Sequence, residues 1–310
     1  MARLDPTSLR VYLATVETGT IAAAAEREHL AAAAISKRIS ELEAELGCAL
    51  LSRTNKGVEP TEAGAALVHL ARRALHELDG VYRQMREYAG GMRGQVRVFA
   101  NISAISQFLP DELQAFRVRH PEIRVQLEEK ISTVITRAVA ENEADIGIYA
   151  STVQGRDLEV FDYHADRLVL IARADHPLAG HEELAFADTL DHDYVGLHTG
   201  SAINMLLLRA ASECDRALNF SMQVTSYDAL CLMVHSGLGV GVLPRRVARR
   251  HVRTLGLRAV RLAEPWAERE LKLCVRSYAA LAPAARLMVD HLRSQARLAI
   301  AIRDGGFAKD

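Results

Sequence analysis

The sequence predicts an α/β protein in three parts: a head of three short helices and a two-stranded hairpin over residues 1–62, one long helix over 63–90, and a two-lobed domain over 91–310. Three observations predict it. Short amphipathic patterns broken by turn residues fill the first sixty positions, a heptad follows, and strand-length apolar runs then alternate with helical patterns. A chain of 310 residues is also long for one folded unit.

The head begins with Thr7 or Ser8 as a helix cap and Leu9, Tyr12, Leu13 and Val16 on one face. Gly19 interrupts, and Thr20 caps a second helix from Ile21 to about Glu28, whose alanines allow close packing. A third helix runs to Leu46, where Gly47 supplies a left-handed stop. Ile35, Ile39, Leu42 and Leu46 form one stripe on it, so Ala33, Ser36, Lys37 and Ser40 face outward with Arg38 on a flank. Small, polar and basic groups thus lie early on this helix, while Glu41, Glu43 and Glu45 lie late. A helix in a major groove reads bases with its N-terminal part, where acidic groups would meet phosphates. Two extended pieces then flank Thr54-Asn55-Lys56-Gly57, a tight turn. This wing carries Arg53 and Lys56 towards a nucleic-acid backbone. Charge alone would argue otherwise: residues 1–60 hold seven basic and eight acidic groups, and the whole chain carries −1. Placement of the charges carries the reading. The DNA-facing set is Thr20, Ala32, Ala33, Ser36, Lys37, Arg38, Arg53 and Lys56.

The strings Gly19-Thr20-Ile21-Ala22-Ala23-Ala24-Ala25-Glu26-Arg27, Ile35-Ser36-Lys37-Arg38-Ile39, Leu42-Glu43-Ala44-Glu45-Leu46-Gly47, Leu50-Leu51-Ser52-Arg53-Thr54 and Pro60-Thr61-Glu62-Ala63-Gly64 resemble, in order and without a gap, the N-terminus of LysR-type transcription regulators. The resemblance implies a winged helix-turn-helix, double-stranded promoter DNA as partner, and a small-molecule effector. One departure stands out. Ala31-Ala32-Ala33-Ala34 replaces the Ser-Gln-(Pro or Ser)-Ala string with which the family usually begins its recognition helix. Base readout should then rest on methyl contacts from Ala32 and Ala33, on Ser36 and Lys37, and on DNA shape, which predicts a looser operator consensus.

From Thr61 to about Ala89, Leu67, Ala71, Ala74, Leu78, Val81, Met85 and Tyr88 recur at alternating spacings of four and three. The alternative is a helix lying on the chain's own core. The resemblance implies a dimerisation helix, hence a homodimer or homotetramer placing two heads on successive turns of the duplex. Gly90, Gly91 and Gly94 end the helix and mark a hinge.

Beyond residue 95, strands are predicted at 96–100, 123–128, 145–149, 168–172, 194–197, 239–243 and 271–275, with helices at 109–120, 133–142, 203–212, 227–236 and 283–301. Such alternation indicates parallel sheets. Two lobes, about 95–164 with 269–301 and 165–268, resemble the periplasmic-binding-protein architecture of the LysR-type effector domain. Phe108-Leu109-Pro110, Ala144-Asp145-Ile146-Gly147-Ile148, Asp175-His176-Pro177-Leu178-Ala179 and Ser236-Gly237-Leu238-Gly239-Val240-Gly241 carry that likeness. A phosphate loop in the last string is disfavoured, because its glycines run from helix into strand and let backbone pass closely between lobes. Ligands of such domains lie between the lobes at strand ends and helix starts. That places Asn101, Ser103, Ser132, Thr133, His198, Thr199, Ser201, Ser226 and Tyr227 at the effector site, and hydroxyls at helix starts suit a small anion.

The residues favour neither catalysis nor a metal. The histidines are dispersed, and no nucleophile elbow or H-E-x-x-H motif occurs. No cofactor is expected. Cys48, Cys214, Cys231 and Cys274 form no C-x-x-C pair, and Cys231 sits in an apolar run, which favours neutral thiols over a redox pair. The first residues lack the apolar core of a signal peptide and no apolar run spans a bilayer, so the chain is expected in the cytoplasm, away from membranes. An exported solute-binding component would leave residues 1–90 unexplained, and a cytosolic enzyme would need a catalytic cluster.

Overall fold

The computed structural model describes residues 4–54, 57–90, 94–150 and 158–305. Contacts divide it into two units, Met1–Gly90 with Glu141–Glu143, and Gly91–Ala140 with Ala144–Asp310.

In the first unit, α1 (Pro6–Thr18), α2 (Ile21–Glu28) and α3 (Ala32–Leu46) precede a hairpin of β1 (Leu51–Thr54) and β2 (Gly57–Pro60), and α4 (Glu62–Gly90) follows. The first cap differs from expectation. Asp5, rather than Thr7 or Ser8, closes α1, its carboxylate accepting from the amides of Thr7 and Ser8 at 3.2 and 3.1 Å. Pro6 then takes the first helical position, where its fixed φ is preorganised and its missing N–H costs nothing. Thr20 caps α2 and left-handed Gly47 ends α3 as expected. Ala24 and Ala25 pack with Val11, Ala14, Ile35 and Ile39, so the small alanine face lets α1 and α3 approach α2 closely. Leu42 joins a second cluster with Leu9, Tyr12, Leu13, Leu50, Leu67 and Ala71. Leu46 departs from the predicted stripe and is exposed, since this last turn of α3 projects past that core.

Leu67 and Ala71 of the heptad are spent on the head's own core, with Ala74 packed beside them. Leu78, Val81 and Met85 further along α4 are exposed. The seam is therefore divided: its first half anchors the head, and its second half is exposed at Leu78, Val81 and Met85. Gly91 lies outside the described residues. Gly64, in the first turn of α4, is pressed against β1: a Cβ there would lie 2.0 Å from the Leu50 carbonyl oxygen and 2.7 Å from the Tyr12 hydroxyl. Backbone cannot yield as a side-chain tip can, so Gly64→Ala is expected to destabilise the head by about 1–3 kcal/mol through overpacking, read as a lower Tm in thermal unfolding.

The second unit runs β3 (Gln95–Ala100), α5 (Ile102–Gln107), α6 (Leu109–Arg119), β4 (Arg124–Glu129), α7 (Ser132–Ala140), β5 (Ile146–Ala150), β6 (Glu159–Arg173), β7 (Glu183–Leu184), β8 (Tyr194–Leu197), α8 (Ala202–Glu213), β9 (Phe220–Val224), α9 (Tyr227–His235), β10 (Gly241–Pro244), α10 (Arg245–Leu255), β11 (Leu257–Leu262), β12 (Glu268–Val275) and α11 (Pro283–Gly305). Its two apolar cores make two lobes. Val96, Val98, Phe116, Ile146, Ile148 and Leu273 centre one, with Met288 and Leu292 of α11. The segment Leu168–Ala172, with Tyr194, Leu197, Leu230 and Val260, centres the other. Parallel pairing holds for β3 with β4 and β5, for β8 with β9, and for β11 with β7. It fails at the strands that cross between lobes. β6 and β12 run antiparallel to each other, β12 antiparallel to β5, and β10 and β11 antiparallel to β6. The chain leaves one lobe on β6 and returns on β12, so these two strands necessarily oppose in direction.

The glycine string also sits elsewhere than expected. A Cβ on Gly239, at φ +139°, would lie 2.4 Å from the Asp193 carbonyl oxygen, to which the Val240 amide donates at 2.8 Å. Glycine there lets the chain pass β8 inside one lobe, not between lobes. Cys231 and Cys274 are fully buried, and burial pushes both thiols up to about 12; Cys48 and Cys214 are exposed. Among the described residues no helix is long and apolar enough to cross a membrane.

Candidate functional site

Two regions carry the residues singled out by sequence. The first is the start of α3. Ile35, Ile39 and Leu42 are buried, fixing the helix's rotation on the head. Ala32, Ala33 and Lys37 are thereby exposed, with Ser36 half-buried beside them. Ala31 provides no side-chain cap, so the first-turn amides of α3 receive no side-chain acceptor and the positive end of the helix is bare. Lys37 Nζ lies 3.7 Å from Glu41 one turn on, both groups well exposed. Such a pair is worth about 0.3–0.5 kcal/mol and leaves the ammonium free to turn to a phosphate.

Arg38 is held to the flank: its Nη1 donates to Asp5 Oδ2 at 2.9 Å and to Ser8 Oγ at 3.4 Å. Thr20 is half-buried, and its hydroxyl accepts from the Ala23 amide at 3.1 Å. The wing is tied to the same turn, the Val58 amide donating to the Gly19 carbonyl at 2.8 Å. Arg53 lies on β1, and Lys56 lies outside the described residues. Sequence reasoning missed Glu43. Its Oε1 accepts from the Leu50 and Leu51 amides at 2.8 and 3.1 Å, joining the end of α3 to the wing. One of the three late acidic groups of α3 is thus turned to the protein's own amides.

The second region is a narrow cleft between the lobes of the larger unit, with a cavity of about 20 Å³. It is lined by Asn101, Ser103, Ser132, His198, Ser201 and Tyr227 from the predicted set, and by Glu129 and Lys130, which sequence reasoning did not single out. Thr133 is exposed, Thr199 donates to Gln223 at 3.1 Å, and Ser226 caps α9; none of the three lines the cleft. The starts of α5, α7, α8 and α9 converge on it. Asn101 caps α5 and Ser201 caps α8, while the Ser132 hydroxyl accepts from the Ala150 amide at 3.2 Å. These hydroxyls keep their own protons to donate, beside four positive helix ends.

Behind the cleft lies a buried polar network drawn from both lobes. Asp166 of β6 accepts from Arg269 of β12 at Oδ1, from Nε at 2.9 Å, and at Oδ2, from Nη2 at 2.5 Å. Gln107 Nε2 donates to the same carboxylate at 2.9 Å. Arg269 Nη2 also donates to Ser103 Oγ at 3.2 Å, and Ser103 shares a 3.0 Å hydrogen bond with the Tyr227 hydroxyl. Burial raises the Tyr227 pKa above the usual phenol value, so it remains a neutral hydroxyl. The Ser103–Tyr227 bond joins the two lobes directly. Two buried groups remain without a protein partner, His198 Nδ1 and Arg269 Nη1. Buried polar atoms are rarely left unsatisfied, and of these two residues His198 lines the cleft. Among the described residues no group of three or more His, Cys, Asp or Glu could hold a metal.

Comparison with known proteins now bears on both regions. Residues 6–65 match the family model described as the bacterial regulatory helix-turn-helix protein, LysR family, and residues 89–297 match the LysR substrate binding domain. The RuBisCO operon transcriptional regulator of Allochromatium vinosum is 30% identical over 76% of this chain and 78% of its own length. The nitrogen assimilation regulatory protein nac of Escherichia coli is 29% identical over 92% of this chain and 93% of its own. Among solved structures, CbnR, described as a LysR family transcriptional regulator, superposes with TM-score 0.70 at 21% identity, covering 94% of this chain and 99% of its own. Full-length CbnR has also been solved with its target DNA, matching at TM-score 0.69 and 22% identity over 94% of this chain and all of that one. The Synechocystis CcmR regulatory domain, solved with 2-PG, matches at TM-score 0.60 and 21% identity over 65% of this chain and 97% of its own.

Proposed function

The chain belongs to the LysR family of bacterial regulatory helix-turn-helix proteins, and on that footing we propose that it binds promoter DNA as a homo-oligomer through the start of α3 and adjusts that binding to a small anion held in the interlobe cleft. It is a DNA-binding transcription regulator with an effector-binding domain. The observation that carries the reading is the division of α3: three apolar side chains buried on one side, Ala32, Ala33 and Lys37 exposed on the other, with an uncapped positive end between them. The exposed Leu78, Val81 and Met85 of α4 suit self-association, which doubles the phosphate contacts. Arg53 and Lys56 follow the backbone from the wing, and Arg38 steadies the flank. We read the chain as cytoplasmic and as a regulator rather than an enzyme, in keeping with its named relatives.

For the effector, four helix starts, donor hydroxyls and Lys130 favour a carboxylate or similar small anion, with Glu129 disfavouring a highly charged one. Bound anion would draw together groups from both lobes and shift the population of lobe arrangements, but only through unequal affinity for them. A gel shift with the DNA upstream of the protein's own gene, repeated across small carboxylic acids, tests this. We expect retardation at low salt and a change of at least fivefold in apparent Kd with one acid. A wild-type protein that fails to retard that DNA removes the reading, and one that binds DNA identically with every acid removes the anionic effector.

A further inference from the structure

A second charged feature lies in the lobe built around β8–β11, away from the cleft. Within eleven residues α10 carries Arg245, Arg246, Arg249, Arg250, His251 and Arg253, in a chain whose net charge is −1. Arg246 and Arg250 have structural work: the Arg246 guanidinium sits 5.3 Å over the Phe108 ring, and Arg250 Nη1 donates to the Ser106 carbonyl at 3.0 Å. Arg245, Arg249 and Arg253, spaced by four, form a separate stripe. With Arg258 and Arg261 of β11 and the turn at Ala179, Gly180 and His181 they wall a cavity of about 830 Å³ that shares no lining residue with the cleft.

Like charges at this spacing oppose the helix that carries them, and little on the protein relieves them. Glu182 is the one carboxylate on the wall; Glu183 pairs with Arg261 at 2.8 Å, and Glu268 with neighbouring Arg167 at 3.3 Å. Among the described residues no ion pair or hydrogen bond engages the guanidinium of Arg245, Arg249, Arg253 or Arg258. Burial, and next the charges of Arg249, Arg167 and Arg261, hold the Arg245 pKa below the ordinary guanidinium value. With Arg261 paired to Glu183, the four remaining guanidinium forks around the concavity exceed what Glu182 alone can neutralise. They match the geometry of several phosphoryl groups, each able to take paired N–H donors. The cavity has the dimensions of a small-molecule site.

We propose that this cavity is a binding site for a small polyanion bearing two or more phosphoryl groups, independent of the cleft. The probe is inorganic tripolyphosphate, titrated calorimetrically into the full-length protein in metal-free buffer, with orthophosphate and acetate for comparison. Saturable binding near one per chain is expected, at least tenfold tighter than orthophosphate. The exposed pair Arg249→Gln and Arg253→Gln together should weaken it at least tenfold with an unchanged circular dichroism spectrum, while Lys130→Ala in the cleft leaves it within twofold. Absence of saturable tripolyphosphate binding by the wild type overturns the proposal, as does undiminished binding by the double variant. A double variant that loses operator affinity, when the wild type binds no tripolyphosphate, assigns these arginines to the DNA backbone instead.

Discussion

Lys37→Glu is expected to weaken operator binding at least a hundredfold, measured by gel shift or fluorescence anisotropy at moderate salt. The side chain is about three-quarters exposed and its pairing to Glu41 is loose, so the substitution leaves the core of the head untouched. Its structural cost is one like-charge pair at four-residue spacing, about 0.2–0.5 kcal/mol. Its cost on DNA is larger. A cation beside phosphates becomes an anion, in both heads of a dimer, while the slope of log affinity against log salt loses about 0.9 for each phosphate contact removed. Lys37→Gln should fall between, losing the contact without adding repulsion. An affinity for operator within threefold of the wild type in Lys37→Glu, with helicity unchanged, would mean that another face of the head meets DNA.

Asp166→Ala is expected to destabilise the effector domain by about 3–5 kcal/mol, because it strands a guanidinium in the interior. The side chains of Arg269 and Asp166 are only 5% and 2% exposed. Arg269 Nη1 already lacks a protein partner, and removing the carboxylate also deprives Nε and Gln107 of their acceptor. At about 2–4 °C per kcal/mol for a domain of this size, the melting transition should fall by roughly 10 °C. Removing both charges at once, as Asp166→Ala with Arg269→Met, should recover much of the loss, since a buried pair replaced by apolar groups is often nearly neutral. Calorimetric unfolding of the three proteins decides it. A single variant within 1 kcal/mol of the wild type would show that the pair is not the clasp its geometry suggests.

What the sequence made legible follows from how local the cause is. Ile35, Ile39 and Leu42 announce their burial by spacing alone, and Thr20, Asn101 and Ser201 announce helix starts because capping chemistry acts over three residues. Six of the nine chosen residues line one cleft, Asn101 and Ser201 as caps. Less local causes were harder to read. β6 runs fifteen residues, but its first half alternates Val160, Phe161 and Tyr163 with Asp162, His164 and Asp166, and so lacks the continuous apolar run of its second half. α10 went unread because its buried side is little more than Val247 and Ala248. Asp166 and Arg269 lie 103 positions apart in sequence, and Glu43 acts on amides seven and eight residues away. No short pattern encodes such pairings; they exist only once the chain has crossed between lobes or turned into the wing.

The first part of β6, paired with β12 from Glu159 to Arg167 and broken in register only between Glu270 and Lys272, has a mechanical consequence. Two hydrogen-bonded strands resist stretching and splaying far more than they resist torsion, so this ribbon favours a small twist between the halves over wide jaws. The irregularity sits beside Arg269, where the polar clasp is fastened. If the clasp is where the proposed effector acts, rotation of one half of the domain against the other about this ribbon is the motion the pairing leaves softest.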